Sequence, residues 1–308
     1  MTHSLSRRSV LAGAAALPLA SGLGTGAAKA AAPMLGASTP GFNRFQLGNF
    51  EVTTLLAGTA TRPDPHSIFG LNVTDEQFAA ASEDANIPTD QATFFFTPTV
   101  VNTGEELVLF DTGLNRAGIT QALEAAGYSP DQVDKVVITH MHGDHIGGLM
   151  DGETETFANA AYITGAVEFD AWAASGNEGF EAKMRPLAEK TTMIEDGANG
   201  FAGHTAMAAF GHTPGHMVHM IESEGQQLLI AADFANHYVW SLANPDWHVT
   251  FDMDKDAATA TRKRILDMLA TDKTAFIGYH MPFPGMGYVE RTAGDGYRYQ
   301  PASYQFML

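Results

Sequence analysis

Three histidines and an aspartate fall within six positions of this chain, in the run Thr139-His140-Met141-His142-Gly143-Asp144-His145. The run follows the β-branched stretch Val136-Val137-Ile138 and precedes Gly147-Gly148, so it reads as a buried strand opening into a loop that other backbone can approach closely. Imidazole and carboxylate suit Zn²⁺ and similar divalent ions. Four such groups on one turn cannot all reach one tetrahedral ion and leave a position open for water. The spacing therefore points to two ions, with His140 and His142 on one and Asp144 and His145 on the other. Each ion then lacks donors, and three candidates follow inferred strands. They are His216 in Gly211-His212-Thr213-Pro214-Gly215-His216, Asp233 after residues 228–232, and His280 after residues 276–279.

Composition narrows the chemistry. The absence of cysteine removes thiolate zinc sites, iron–sulfur clusters, a disulfide framework and a cysteine nucleophile. A net charge of −18 opposes a nucleic-acid partner, which needs a basic footprint. With 308 residues and 45% hydrophobic side chains, the chain can bury a large core.

The start reads as an address. Ser6-Arg7-Arg8-Ser9 precedes a weakly apolar stretch over residues 12–20, and Ala28-Lys29-Ala30 offers a cleavage site. The paired arginines resemble a twin-arginine export signal over residues 1–30, which implies a periplasmic or secreted protein. The apolar stretch is too short to span a bilayer, so no membrane anchor is expected after export. Residues 31–308 then form a single domain with 14 basic against 35 acidic side chains, a net −21.

Local signals place the elements. Gly48-Asn49 and Ser223-Glu224-Gly225 read as hairpin turns, and Thr74-Asp75-Glu76-Gln77 as a capping box. Residues 94–101 read as one strand, 119–126 as a helix that Gly127 stops, and the polar stretch up to Gly200 as a helical excursion. Residues 257–270 form an amphipathic helix with Ala260, Ile265, Met268 and Leu269 on its apolar side. Alternating hairpins and helices suggest an α/β fold of two packed sheets with helices outside.

The histidine run resembles the His-x-His-x-Asp-His pattern of the metallo-β-lactamase superfamily, matched by His140, His142, Asp144 and His145. The resemblance implies the four-layer αββα sandwich of that superfamily. It also implies two divalent ions, Zn²⁺ first, with Mn, Co or Fe compatible. Carried over by position, His140, His142 and His216 hold one ion, Asp144, His145 and His280 the other, and Asp233 bridges them. Asp111 matches a segment behind the site and orients a ligand histidine, while His212 has no slot and takes a supporting role.

The order of segments over residues 31–308 looks like methyl parathion hydrolase and its lactonase relatives, which implies attack by a metal-bridging hydroxide with Asp144 and Asp233 as catalytic carboxylates. The expected substrate is a small neutral ester, foremost an N-acyl-homoserine lactone or related lactone, as in quorum quenching. An organophosphate triester or aryl ester is the alternative, and a non-catalytic metal-binding scaffold a remote one. A homodimer is implied by the resemblance alone. Phe94, Phe96, Trp172 and Phe283 are candidates for the pocket wall. Better-known acyl-homoserine lactonases carry a tyrosine three residues after the bridging aspartate. Asn236 stands there, followed by His237, and either is a candidate to face the substrate carbonyl.

Overall fold

Successive residues of the strand Lys135–Ile138 enter different cores: Val136 and Ile138 face one, Val137 the other. The same alternation runs through Leu107–Phe110, where Leu107 and Leu109 oppose Val108 and Phe110. In Gln226–Ala232, Leu228 and Ile230 share a core with Val137, whereas Leu229 and Ala231 face away. Sheets apolar on both faces must be covered on both. This period of two therefore dictates four layers.

The computed structural model describes residues 34–303, and the expected export signal lies outside them. From Thr39 onward the described chain is one compact unit. One sheet runs in the order Phe42–Leu47, Phe50–Leu55, Thr99–Asn102, Leu107–Phe110, Lys135–Ile138, Ala161–Gly165, Thr191–Ile194. The other runs His204–Ala208, Met217–Ser223, Gln226–Ala232, Ala275–Gly278, Met286–Arg291, Tyr297–Pro301. Their facing residues form the central core. The helices Arg116–Ala125, Ala166–Ser175 and Glu178–Lys183 cover the first sheet, and Lys255–Asp272 covers the second. No helix among the described residues is long and apolar enough to cross a membrane.

Several elements differ from the sequence expectation. Residues 94–101 are two strands, broken at Thr97-Pro98, because proline has no N–H to continue a ladder. Gln91–Phe96 leaves the sheet to pair with Gly58–Pro63 as a separate ribbon beside the site. The stretch up to Gly200 contains two short helical segments and then the edge strand Thr191–Ile194, and the strand His204–Ala208 follows it. On Lys255–Asp272 the buried stripe is Ala258, Arg262, Ile265, Leu266 and Leu269, with Ala260 exposed. An arginine inside that stripe is what the hydrophobic pattern could not anticipate.

Parallel pairing gathers the strand ends. Leu107–Phe110, Lys135–Ile138 and Ala161–Gly165 run parallel, so Asp111, Thr139 and the helix after Gly165 emerge on one rim. Gln226–Ala232 and Ala275–Gly278 are likewise parallel, delivering Asp233 and His280 to the rim of the second sheet. Carboxyl ends of parallel strands are where open α/β sheets place ligands.

Candidate metal centre

Backbone geometry aims the donors. After Ile138 the chain turns, and the single helical turn Gly143–Ile146 turns Asp144 and His145 toward the rim. A Cβ on Gly148 would lie 2.2 Å from Thr112 O, so only glycine lets this loop pack on the segment after Asp111. Asp111 itself adopts φ 59°, a left-handed conformation that costs a non-glycine residue roughly 1–2 kcal/mol. Its carboxylate accounts for that strain. It accepts the Thr139 N–H and hydroxyl at 2.9 Å each and lies 2.9 Å from His145 Nδ1. Asp233 follows a register shift between Ile230 and Ala232, with Ala232 at φ 45°. Such a bulge re-aims the next side chain.

Among the described residues, three groups bring their donor atoms within 4.8 Å of one another: His140, His142 and His212; His140, His145 and Asp233; Asp144, His145 and His280. His142 Nδ1 lies 3.1 Å from His140 Nε2 and 3.0 Å from His212 Nε2. Donors on a tetrahedral zinc ion sit about 3.3 Å apart at bond lengths of about 2.0–2.1 Å, so these nitrogens already stand near ligand spacing. Asp233 lies between the outer groups. Its Oδ2 is 3.5 Å from His212 Nε2 and 3.1 Å from His280 Nε2, and its Oδ1 is 3.4 Å from His145 Nε2. Asp144 Oδ2 closes the third group, 3.3 Å from His280 Nε2 and 3.6 Å from His145 Nε2.

His216 stands beside these groups, its ring centroid 5.0 Å from that of His140 and 5.6 Å from that of His212. Its Nδ1 faces Ala209 O at 3.2 Å, and its Nε2 lies 3.2 Å from the Asp233 backbone N. A ring that donates Nδ1–H to a backbone carbonyl keeps its lone pair on Nε2, the arrangement a metal ligand needs. His212, for which a supporting role is expected, brings its Nε2 beside His140 and His142.

Electrostatics separates the donors. Burial, reinforced by His145, holds His140 well below the usual histidine pKa. Burial and His212 lower His142 to about 3. These rings stay neutral, as a metal donor must. Burial also opposes charge on His145 and His280, yet Asp233 and its neighbouring carboxylates more than offset it. His145 is raised well above the ordinary value and His280 to about 10. Burial would raise Asp144, but His145 and His280 hold it at about 2, and Asp233 is held well below its usual range with His280 the leading cause. Protons on two histidines thus balance the carboxylates of the cluster. His145 Nε2 and Asp233 Oδ1 are nevertheless buried without a hydrogen-bond partner. Buried polar atoms are almost always satisfied, so this facing pair fits a cation between them.

The fold and this cluster can be set beside known proteins. Residues 97–280, more than half of the chain, match the metallo-beta-lactamase superfamily. The chain belongs to that superfamily. It is a hydrolase fold whose solved members include AidC, a dizinc quorum-quenching lactonase determined with a product, at 26% identity and a TM-score of 0.78. That similarity covers 85% of this chain and 98% of AidC. An N-acyl homoserine lactonase from Bacillus sp is 26% identical over 162 residues, covering 52% of this chain and 61% of that protein. Ribonuclease Z from Pyrococcus furiosus is 43% identical over 49 residues, 16% of this chain and 15% of that enzyme. The chain thus spans less than two thirds of either curated relative.

In this metallo-beta-lactamase superfamily member a cavity of about 360 Å³ opens over the cluster. His142, Gly143, Asp144, Asp233 and His280 line it on the cluster side, with Phe94, Phe96 and Phe251 among its apolar walls. Phe94 and Phe96 each stand edge-on to His280 with ring centroids 5.6 Å apart. The Gly58–Pro63 and Gln91–Phe96 ribbon that carries them also brings Ala60 and Arg62 to the lining.

Four other pocket candidates do not line this cavity. Trp172 packs edge-on against His142 at 5.8 Å from within the helix-side core. Asn236 is buried with its amide donated to Asp233 Oδ2 at 2.9 Å. His237 stacks on Trp240 at 3.9 Å, and its Nδ1 accepts the N–H groups of Val239 and Trp240. Phe283 is half-buried in the loop beyond His280. Neither Asn236 nor His237 therefore lines the cavity.

Glu168 was not singled out by the sequence, yet it ties the two donor loops together. Fully buried, it accepts Met141 N–H at 2.9 Å through Oε1, and Thr213 Oγ1 at 2.7 Å and Gly215 N–H at 2.8 Å through Oε2. A Cβ on Gly215 would lie 2.1 Å from Glu168 N, which is why glycine stands there. The signal available in sequence was slight: Glu168 is one of two acids in the largely apolar helix Ala166–Ser175.

Proposed function

We propose that this hydrolase opens lactone rings, N-acyl-homoserine lactones foremost, with one divalent cation held by His140, His142 and His216, a second by Asp144, His145 and His280, and Asp233 between them. The observation that carries the reading is Asp233, a buried carboxylate whose Oδ2 lies between His212 and His280 and whose Oδ1 faces His145, beside an apolar cavity. The substrate class is supported by the likeness to AidC and to the Bacillus lactonase. Bound there, the cations would lower the pKa of water and polarise the attacked ester oxygen.

The chain's own groups do the rest. Asp233 stays ionised and is oriented by the Asn236 amide. Asp144 is 23% exposed where Asp233 is 3% exposed, so it is the carboxylate able to pass a proton between cavity and solvent. Phe94, Phe96 and Phe251 take the acyl chain and keep water from it. Ring opening creates a carboxylate, and Arg62 is the guanidinium on the cavity lining able to meet it.

Purified protein of measured metal content decides the substrate. Acyl-homoserine lactones, dihydrocoumarin, a paraoxon-type triester and a cephalosporin are compared by kcat/KM, and lactones lead. A triester ahead of every lactone by more than about tenfold, about 1.4 kcal/mol in barrier, would replace this reading with that of a phosphotriesterase. The proposal extends to export through residues 1–30. Replacing Arg7 and Arg8 together by lysine then retains the protein in the cytoplasmic fraction.

A further inference from the structure

Asp144, His145 and His280 come from the rims of two different sheets, and one side chain touches the segments that carry all three. Tyr279 follows the strand Ala275–Gly278, directly precedes His280 and is itself buried. Its ring lies against the His145 imidazole with centroids 4.0 Å apart at 32°, and edge-on to His280 at 5.1 Å. Its hydroxyl donates to the Asp144 backbone carbonyl at 2.6 Å. That carbonyl has no helical partner. Continuing the turn Gly143–Ile146 would bring it the Gly148 N–H, but Gly148 donates to Thr112 Oγ1 at 3.1 Å instead. The Tyr279 backbone N–H in turn reaches Ala232 O at 3.4 Å, the residue before Asp233.

We propose that Tyr279 is the positioning residue that registers the Asp144-His145 turn against His280 and so sets the donor spacing for one cation. A single helical turn has too few internal hydrogen bonds to hold its own shape. His145 is fixed from behind, by Asp111 Oδ2 at Nδ1 and by the Tyr279 ring on its face. Asp144 has no anchor of that kind among the described residues. Its carboxylate faces His280 at 3.3 Å and His145 at 3.6 Å, so its aim depends on its backbone, which the Tyr279 hydroxyl holds. Groups behind a ligand set its orientation in this way. Tyr279 does not line the cavity and acts through these donors alone.

This inference rests on the reading of the cluster as a divalent-cation site, and the test separates the two. Zn²⁺ is titrated against a chromophoric chelator for the wild-type chain, Y279F and Y299F, with folding of each followed by circular dichroism in chelator. Y299F is the control, since it deletes a buried hydroxyl that donates to Met286 O at 2.8 Å in the core between the second sheet and its helix. Y279F, which keeps the ring and loses the hydroxyl, is expected to weaken one ion by about 10–100-fold and to spare the other. Y299F should leave both within about twofold. Equal weakening of both ions, or a Y279F that binds like Y299F, would overturn the positioning role. If Y279F does not fold without metal, it is refolded with Zn²⁺ and the rates at which chelator strips the ions are compared. One ion leaving about tenfold faster than from the wild type supports the role, and unchanged rates overturn it. A wild-type chain that takes up no Zn²⁺ would instead remove the reading beneath it.

Discussion

Among the described residues two clusters of buried histidines stand apart, and one of them faces carboxylates. Around the rim, His140, His142, His145, His212 and His280 converge with Asp144 and Asp233. Between the sheets, His204 and His219 form a pair of their own. His204 Nδ1 accepts the Gly200 N–H at 2.8 Å, and its Nε2 meets His219 Nδ1 at 2.8 Å, with Phe110 and Phe201 against the rings. Burial, with Lys135 adding to it, lowers His204 to about 4, and burial holds His219 well below the usual value. Burial acts on both sets alike. What makes a histidine a donor site is the convergence of free nitrogens and ionised carboxylates on one point, and the inter-sheet pair faces no carboxylate.

The sharpest way to break this comparison lies inside the rim set, where His212 and His216 differ in the use of Nε2. His216→Ala removes a donor and is expected to lower kcat/KM by about two to three orders of magnitude, with one ion lost per chain by metal analysis. His212→Ala removes a neighbour of His142 and Asp233, and a loss of about tenfold or less with the metal content retained is expected. If the two variants behave in the reverse order, His212 is the donor.

That pair also marks how far the sequence could be read. The run His140 to His145 was legible because strand, donors and glycines are contiguous, and Asp233 and His280 because each directly follows a buried strand. The layers followed from strand alternation. Within Gly211-His212-Thr213-Pro214-Gly215-His216, spacing could not show what each ring faces. His212 faces Asp252 and His216 lies against the Asp233 N–H, partners far along the chain. Of the expected pocket wall, Phe94 and Phe96 line the cavity, whereas Trp172 and His237 do not. Trp172 and His237 are aromatic and close in sequence to the rim, but tertiary packing points one at the helix-side core and stacks the other on Trp240.

Protons sharpen the comparison next. The metal-free rim stores charge that the inter-sheet pair lacks, since His145 and His280 stand above the ordinary histidine pKa. Both must give up a proton to bind a cation, so metal binding near pH 7 releases about two protons per chain. Calorimetry in buffers of different ionisation enthalpy reads that number, and affinity rises with pH. The stability of the metal-free protein runs the other way. A histidine raised on folding contributes fully below about 6.5 and loses that contribution as pH rises through about 10, the value for His280. A metal-free melting temperature that climbs between pH 7 and 10 would contradict this assignment.

Glu168 tests whether the two rim loops depend on a shared anchor. Glu168→Gln keeps the volume but turns one acceptor into an N–H₂ donor facing Met141 N–H or Gly215 N–H. A buried donor left unpaired costs about 1–3 kcal/mol, so the melting temperature falls. Because Met141 and Gly215 flank donors on both loops, kcat/KM falls by about tenfold as well, whereas a variant that melts lower with unchanged kcat/KM would confine Glu168 to stability.

The inter-sheet pair supplies the smallest effect on activity and the cleanest control. A histidine held below its usual pKa binds fewer protons folded than unfolded, so its contribution is complete above about 6.5 and is lost as pH falls toward 4. Replacing both His204 and His219 by leucine removes the two rings together, including the His219 Nε2 that has no partner. Replacing both members of a buried polar pair by apolar groups is close to neutral, so the double variant should match the wild type above pH 8 to within about 1 kcal/mol. It should then lose less stability than the wild type between pH 6.5 and 4, by a few kcal/mol at the order-of-magnitude level. Its kcat/KM at pH 8 should stay within about twofold of the wild type, because no ring of the pair shares a contact with the rim donors. An acid limb that survives the double substitution unchanged would move the acid sensitivity to the rim, where neutral His140 and His142 face the same penalty.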